Sequence, residues 1–136
     1  MGRRQCRARN EGRHCSCEMG NLYRYAEPII LLSLATLGEA HGYVIARESQ
    51  KHAVTHGGLD VAVVYRTLQR LEAAGRIDSS WDMEGTGPAR HIYRLTESGW
   101  EHLAEWSALL SDIALSLKRL QSGCAAACRG RAERGA

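Results

Sequence analysis

The sequence contains no phenylalanine, and its few aromatic residues are all tyrosines and tryptophans. Because aromatic residues make up only 6% of the chain, leucine, isoleucine, valine and alanine must build the hydrophobic core. The longest apolar run, residues 28–37, contains Ser33 and Thr36 and falls well short of the roughly 20 residues that a membrane-spanning helix needs. We therefore expect no membrane partner, and a length of 136 residues predicts one domain with tails.

An apolar segment close to a short basic start, which a secretory signal requires, is also missing. Glu11 and Glu18 lie instead in a long, mostly polar stretch before the first apolar cluster. We therefore expect a cytoplasmic protein. In that reducing compartment, five cysteines favour metal ligands or redox thiols over a disulfide framework, and their odd number argues against complete pairing.

Positive charge is concentrated at the two ends of the chain. Residues 1–25 contain six arginines and two glutamates, and residues 118–136 contain five basic residues and one glutamate. The body between them contains seven basic and twelve acidic residues, although the formal net charge is +3. Basic tails therefore flank an acidic body, and they favour salt-sensitive contact with a polyanion.

Local patterns predict two short helices after a basic, cysteine-containing tail at residues 1–22. The apolar cluster 29–37 predicts the first helix, with Pro28 near its first turn and Gly38 at its end. After a link at residues 38–42, a second helix is expected from Tyr43 towards His52. The glycine pair at positions 57 and 58 is expected to end it.

The second half of the chain predicts a third helix, a hairpin and a long helix. The third helix covers residues 60–74, with Asp60 as N-cap and Gly75 as stop. Two extended runs, 76–81 and 89–95, flank the turn-rich segment 84–88 and predict a β-hairpin. Thr96 begins a helix expected to end at about Gln121, followed by a second basic, cysteine-containing tail at residues 122–136.

This order of elements is that of a winged helix-turn-helix protein, mainly α-helical with a small β-hairpin wing. It predicts a DNA-binding domain at residues 23–95 and a long C-terminal dimerisation helix at residues 96–121. The third helix is then the recognition helix, which enters the major groove of double-stranded DNA.

Three stretches carry a more specific signal: His41-Gly42-Tyr43, the segment 65–77 (YRTLQRLEAAGRI) and the segment 87–99 (GPARHIYRLTESG). Through them the chain from about residue 28 to residue 120 resembles the PadR family of bacterial transcriptional regulators. The resemblance implies a homodimer formed through the first and last helices, and it implies repression. It does not extend to the cysteine-bearing tails.

The third helix has one apolar face, which consists of Val61, Val64, Leu68, Leu71 and Gly75. Its outer face consists of Ala62, Arg66, Gln69, Arg70 and Ala73. Because Arg pairs with guanine and Gln with adenine in the major groove, Arg66, Gln69 and Arg70 are candidate base or phosphate contacts, joined by Tyr65. The alternative is an ordinary solvated helix face.

Residues 61–64 depart from the family, which usually has small polar residues before its tyrosine. Hydrogen bonds from those positions are lost, although their methyl groups can meet thymine methyls. In the wing, Arg90, Ile92 and Arg94 share one strand face, and His91, Tyr93 and Leu95 share the other. Arg90, near the tip, is the favoured phosphate contact.

The last helix has a heptad-like apolar seam, at Leu103, Trp106, Leu110, Ile113, Leu117 and Leu120. The seam predicts a dimer interface, and the alternative is packing on the first helix of the same chain. Some PadR-like proteins stack flat aromatic ligands between tryptophans at that interface. Trp100 and Trp106 therefore mark a possible pocket for a planar small-molecule effector, with ordinary core packing as the alternative.

All five cysteines, Cys6, Cys15, Cys17, Cys124 and Cys128, lie outside the predicted DNA-binding body. Extending the seam from Leu120 places Cys124 at the next core position and Cys128 one turn further, if the helix continues past Gly123. Soft thiolate ligands suit Zn²⁺, Cu(I) or an iron–sulfur cluster. The alternatives for the cysteines are a redox switch or no function at all. An alternative for the whole protein is a metal-buffering or protein-docking module on the same fold.

Motifs of catalysis are missing. The chain has no phosphate-binding glycine loop, nucleophile motif or pair of catalytic carboxylates. The segment Glu84-Gly85-Thr86-Gly87 is interpreted as the tip of the hairpin. The sequence therefore predicts a regulator and not an enzyme.

Overall fold

The computed structural model describes residues 25–54, 58–85, 87 and 90–135. The order of elements is α1 (Ala26–Leu37), β1 (Glu39–His41), α2 (Gly42–Ser49), a 3₁₀ turn (Gln50–His52), α3 (Val61–Ala73), β2 (Ile77–Asp82), β3 (Arg90–Leu95) and α4 (Glu97–Arg134). The chain divides into two compact units, one ending at Leu103 and the other beginning at Ala104. The winged helix-turn-helix order predicted from the sequence is confirmed.

Helix α1 lies at the centre of the core of the first unit. Pro28 occupies its first turn, where the missing N–H has no helical acceptor to lose. Ile30, Leu31 and Leu34 are fully buried. Gly38 ends the helix with a positive φ of 79°, and its N–H donates to the Leu34 carbonyl at 2.8 Å.

The predicted link between the first two helices contains a strand, which corrects the sequence interpretation. Strand β1 pairs antiparallel with β3, with Glu39 opposite Arg94 and His41 opposite Ile92. The sheet has the order β1-β3-β2, so β3 is its central strand. A three-residue strand is too short to show an alternating pattern in the sequence. Only its pairing with a strand some fifty residues later defines it.

Helices α2 and α3 form the helix-turn-helix. The Gln50 side-chain amide donates to the Leu59 carbonyl at 3.0 Å and so ties the end of α2 to the residue before the Asp60 cap of α3. Val64, Leu68 and Leu71 of α3 are buried as predicted. Val61 was expected on the same face but is 57% exposed, because the first turn of α3 extends beyond the core that the later turns cover.

Strands β2 and β3 form the wing, paired from Ile77 opposite Leu95 to Asp82 opposite Arg90. This confirms the predicted hairpin, whose tip falls partly outside the described residues. Helix α4 runs through Gly123 to Arg134. The expected end at about Gln121 is therefore wrong, because a single glycine costs a helix only about 1 kcal/mol and the Ala125-Ala126-Ala127 run that follows favours its continuation.

The buried hydrophobic side chains of the described residues are all aliphatic, as the composition predicted. They are Ala26, Ile29, Ile30, Leu31, Leu34, Ala40, Ile45, Ala46, Leu59, Val63, Val64, Leu68, Leu71 and Ile77. Buried Ser33, Ser49 and Thr67 each donate a hydroxyl hydrogen bond to a carbonyl in the preceding turn of their own helix. In the described part of the chain, no helix combines the length and the apolar character required to cross a bilayer.

Candidate nucleic-acid interface

The outer face of α3 presents Arg66, Gln69 and Arg70, which are all exposed. The opposite face packs into the core through Val64, Leu68 and Leu71, so burial fixes the direction in which the polar side chains point. Within the described residues, no carboxylate pairs with Arg66 or Arg70.

Tyr65, the fourth predicted contact on α3, lies against the start of α2. Its ring is so close to Gly42 that a Cβ at that position would lie 2.6 Å from Tyr65 Cε1. Because the Tyr65 ring of the recognition helix comes so close, a glycine fits best at the centre of His41-Gly42-Tyr43. The Tyr65 side chain remains 41% exposed, on the border of the α3 face.

Among the described residues, Tyr93 of β3 has a pKa that its surroundings raise. Burial raises its pKa above the ordinary value, and the negative charges of Glu72 and of an ionised Tyr65 raise it further. The Tyr93 phenol therefore keeps its proton to a higher pH than an ordinary tyrosine does.

The wing presents two arginines in different electrostatic surroundings. Arg94 lies between two carboxylates, with Glu39 at 3.8 Å on β1 and Asp78 at 3.9 Å on β2. Arg90 has no carboxylate partner among the described residues, and its guanidinium lies over the ring of Tyr43, 5.5 Å from the centroid. The predicted preference for Arg90 over Arg94 as a phosphate contact is consistent with this difference, and the contact itself stays a prediction.

His41 connects the base of α2 to the wing. Its Nε2 lies 3.3 Å from Asp82 Oδ2, and its Nδ1 lies 3.3 Å from the His91 carbonyl oxygen. Its ring stacks on that of Tyr43, with centroids 5.7 Å apart and planes 6° from parallel. Both ring nitrogens therefore face oxygen acceptors on the two strands of the wing.

Side-chain hydrogen bonds join the turn after α3 to the start of α4. Gly75 ends α3 with a φ of 75°, and the Thr96 hydroxyl donates to its carbonyl at 2.7 Å. The same hydroxyl accepts from the Gly99 N–H at 3.1 Å and so caps α4. Arg76 Nη1 donates to Ser98 Oγ at 2.9 Å. The same small group of hydrogen bonds therefore lies at the end of the recognition helix and at the start of the last helix.

A family model described as the Transcriptional regulator PadR-like family matches residues 30–105, which is more than half of the chain. The chain belongs to the PadR-like family. Its members are transcriptional regulators and not enzymes, in agreement with the missing catalytic motifs. The predicted resemblance is thereby confirmed for the body of the chain.

Solved structures of PadR regulators have the same fold. A family member from Eggerthella lenta is 26% identical with a TM-score of 0.62, and the match covers 78% of this chain and 90% of that one. A regulator from a hypervirulent Clostridium difficile is 22% identical with a TM-score of 0.60, covering 71% and 98%. A PadR-like regulator from Bacillus cereus is 24% identical with a TM-score of 0.61, covering 74% and 94%. No curated protein sequence matches the chain.

The seam predicted for the PadR dimer lies on α4. Its members Leu103, Trp106, Leu110 and Ile113 are partly buried in the single chain, whereas Leu117 is 55% and Leu120 is 64% exposed. Trp100, the other residue of the predicted ligand pocket, is 50% exposed. The dimer and the pocket both stay predictions.

The cysteines of this PadR protein fall into two groups. Cys124 and Cys128 are free, exposed thiols one helical turn apart on α4. Cys6, Cys15 and Cys17 lie outside the described residues. Among the residues that the structure describes, no three His, Cys, Asp or Glu side chains converge as a metal site.

Sequence reasoning missed Tyr43 and His41 as parts of the surface. It assigned His41 to the entry of the second helix, where the residue does lie, but not to contact with Asp82 of the wing. The available signal was the His41-Gly42-Tyr43 motif, which belongs to the PadR resemblance. Its meaning depends on the pairing of β1 with β3, and that pairing was not predicted.

Proposed function

We propose that this PadR-family protein is a cytoplasmic, dimeric repressor of transcription that binds double-stranded DNA. The observation that carries the proposal is the exposed face of α3, where Arg66, Gln69 and Arg70 have no acidic partner in the described chain. Such a face supports binding in the major groove, because its donors are free to pair with base edges or phosphates.

Each element has a distinct task in this proposal. Arg66 and Arg70 supply two donors each for guanine or phosphate, and Gln69 pairs with adenine. Tyr65 at the border of the α3 face and Arg90 of the wing contact phosphates. The exposed Val61 supplies methyl groups towards thymine at the start of the helix.

The exposure of Leu117 and Leu120 along a heptad-like seam supports dimer formation through α4. A two-fold dimer carries two recognition helices and therefore binds a palindromic site with half-sites about one DNA turn apart. The two recognition surfaces of the dimer also double the positive charge that faces the DNA. This supports DNA binding even though the body of the chain is acidic.

The proposal is tested with a duplex selected from a random-sequence pool by the wild-type protein. Arg66→Ala is expected to weaken binding to that duplex about ten-fold while leaving binding to unrelated DNA almost unchanged. Arg119→Ala is the matched control, since it removes the same charge from α4. Equal binding of the selected and unrelated duplexes by the wild-type protein would contradict sequence-specific regulation.

We further propose that the cysteines form the effector site. The thiols of Cys124 and Cys128, one turn apart and exposed, support a shared ligand. They provide two of the four ligands of a structural zinc site or of an iron–sulfur cluster, and Cys6, Cys15, Cys17 or a second copy of the chain supplies the others. Oxidation of the same thiols is the competing mechanism.

The metal, iron and sulfide content of protein purified without oxygen or chelators decides between these mechanisms. A bound metal or cluster that is lost in the Cys124→Ser/Cys128→Ser protein supports the metal-linked sensor. Metal-free protein with five reactive thiols, in contrast, favours the redox mechanism. Replacing Cys6, Cys15 and Cys17 in a separate variant tests whether they complete the site.

An alternative effector is a planar small molecule bound beside Trp100 and Trp106. The 50% exposure of Trp100 supports it, since an exposed indole offers a stacking face. Quenching of tryptophan fluorescence by planar aromatic compounds, retained when all five cysteines are replaced by serine, is the expected result. Quenching that persists in a Trp100→Leu/Trp106→Leu protein would reject this site.

A further inference from the structure

Four side chains form a continuous connection between α2 and the wing. Asp82 of β2 contacts His41, His41 stacks on Tyr43, and the Tyr43 ring lies under the guanidinium of Arg90 on β3. Because Asp82 and Arg90 lie directly opposite each other in the hairpin, the connection begins and ends at one pair of the β-ladder.

Asp82, which lies opposite Arg90 in the hairpin, is engaged by His41. An aspartate opposite an arginine on a neighbouring strand is a ready ion-pair partner. Here the Asp82 carboxylate lies 3.3 Å from His41 Nε2, and no described carboxylate pairs with Arg90. The guanidinium instead rests over an aromatic face, 5.5 Å from the centroid of Tyr43.

Stacking on Tyr43 leaves the Arg90 donors available to a ligand. A cation over a ring uses the face of the guanidinium, while its N–H groups point outward along the edge and suit a phosphate. The Tyr43 side chain is 51% exposed, so the pair lies at the protein surface. Holding a long arginine in one place lowers the entropy that it would lose on binding.

We infer that Tyr43 is a positioning residue that holds Arg90 for a phosphate of bound duplex DNA. The inference rests on the proposed function and adds a residue on α2 to the surface formed by α3 and the wing. His41 supports the arrangement because it engages Asp82 and stacks on the ring of Tyr43.

The test is a double-mutant cycle on the selected duplex with the full-length protein. Arg90→Ala is expected to weaken binding about ten-fold. Because the dimer loses one phosphate contact in each protomer, the slope of log affinity against log salt is expected to fall by about 1.8, which is about 0.9 for each lost contact. Tyr43→Leu is expected to weaken binding about three-fold, and to have almost no effect once Arg90 is alanine. Tyr43→Phe keeps the ring and is expected to bind like the wild type.

An NMR measurement on the free protein reports the positioning without DNA. The side-chain protons of Arg90 are expected to show upfield ring-current shifts in the wild type and in Tyr43→Phe, and to lose them in Tyr43→Leu. Tyr43→Met provides the same loss of the ring in an unbranched side chain, should Tyr43→Leu lower the thermal unfolding midpoint.

The outcomes of these measurements separate the inference from the proposed function. An equal loss from Tyr43→Leu with and without Arg90, or an equal loss from Tyr43→Phe and Tyr43→Leu, overturns the positioning role. Normal binding by Arg90→Ala, together with weak binding by Arg66→Ala and Arg70→Ala, overturns it while the proposed function stands. If none of the three arginine substitutions weakens binding, the proposed function itself fails.

Discussion

Gly99 shows how one residue without a side chain allows two helices to meet. It is the one buried residue among those described on α4, and an added Cβ would lie 2.0 Å from the Arg76 carbonyl oxygen. That oxygen also accepts the Thr96 N–H at 3.1 Å, so it cannot move without the loss of a hydrogen bond. The predicted start of the last helix at Thr96 includes Gly99, but no local pattern identifies the backbone atom that lies against it.

Gly99→Ala is expected to destabilise the protein by about 3 kcal/mol, because a methyl group cannot enter this contact without moving backbone. Chemical denaturation followed by circular dichroism measures the change. Gly123→Ala is the matched control on the same helix, since nothing lies within 4 Å of its added Cβ, and it is expected to stabilise the helix by about 0.5–1 kcal/mol. Similar effects of the two substitutions would contradict the close contact at Gly99.

Tyr93 predicts a loss of stability at alkaline pH. Its pKa in the folded protein is raised above the ordinary value of 10.0, mainly by burial. Above pH 10, tyrosine in the unfolded chain therefore loses its proton before folded Tyr93 does, and the free energy of unfolding falls as the pH rises through the raised pKa. Below pH 10 the residue has no such effect.

Urea unfolding of wild type and Tyr93→Phe from about pH 8 to about pH 11, a range that includes the ordinary pKa of tyrosine, measures this contribution. The phenylalanine variant is expected to lose less stability across the alkaline part of the range. Tyr43→Phe, which removes an exposed hydroxyl, is the control. Parallel stability curves for wild type and Tyr93→Phe would show that burial of Tyr93 has no such consequence.

At the scale of elements, the end of α3 is defined by backbone geometry. The Arg76 N–H donates to the Leu71 carbonyl and the Gly75 N–H donates to the Glu72 carbonyl, the pair of bonds of a Schellman motif. Gly75 supplies the positive φ of 75° that this motif needs. The sequence predicted this stop, because glycine after an amphipathic helix is a local signal.

Gly75→Ala is expected to cost about 1 kcal/mol of stability, because an L-residue with a side chain is strained in the left-handed region. Nothing lies within 4 Å of an added Cβ, so backbone conformation is the cause and not a clash. Gly75→Asn is expected to cost less, since asparagine tolerates this conformation better. Thermal unfolding compares the two, and an alanine variant as stable as the wild type would contradict the assignment.

Elements defined by local pattern were predicted well, and elements defined by pairing were not. Helix α3 and the hairpin carry their own periodicity, caps and turn residues. Strand β1 exists because β3 lies beside it, and Val61 is exposed because the core ends before the first turn of α3. The continuation of α4 past Gly123 reflects a balance between one glycine and the alanines after it.

At the scale of the whole molecule, α4 is expected to make the dimer. Leu117→Asp places a charge on the proposed seam and is expected to give a monomer, because an unpaired carboxylate in an apolar interface is strongly unfavourable. Leu117 is 55% exposed in the single chain, so the substitution is expected to leave the fold of each chain intact. Analytical ultracentrifugation measures the oligomeric state.

Ser116→Asp is the control for Leu117→Asp, since it adds the same charge at an exposed neighbouring position outside the seam. It is expected to remain dimeric. A monomeric wild-type protein, or a Leu117→Asp variant that dimerises as well as the wild type, would reject the seam as the interface. Loss of specific DNA binding in the monomeric variant is the further expected consequence, because one half-site supplies only half of the contacts.

The sequence by itself determined the order of the helices and the wing, the aliphatic core, the outward face of α3 and membership of the PadR family. These follow from periodicity, caps and motifs that lie within short segments. Only the tertiary structure decided that β1 joins the sheet, that Tyr65 packs on Gly42, and that Arg90 rests on Tyr43 while Arg94 lies between two acids. Each of these depends on residues far apart in the chain, whose contacts arise when long-range strand pairing and burial bring them together.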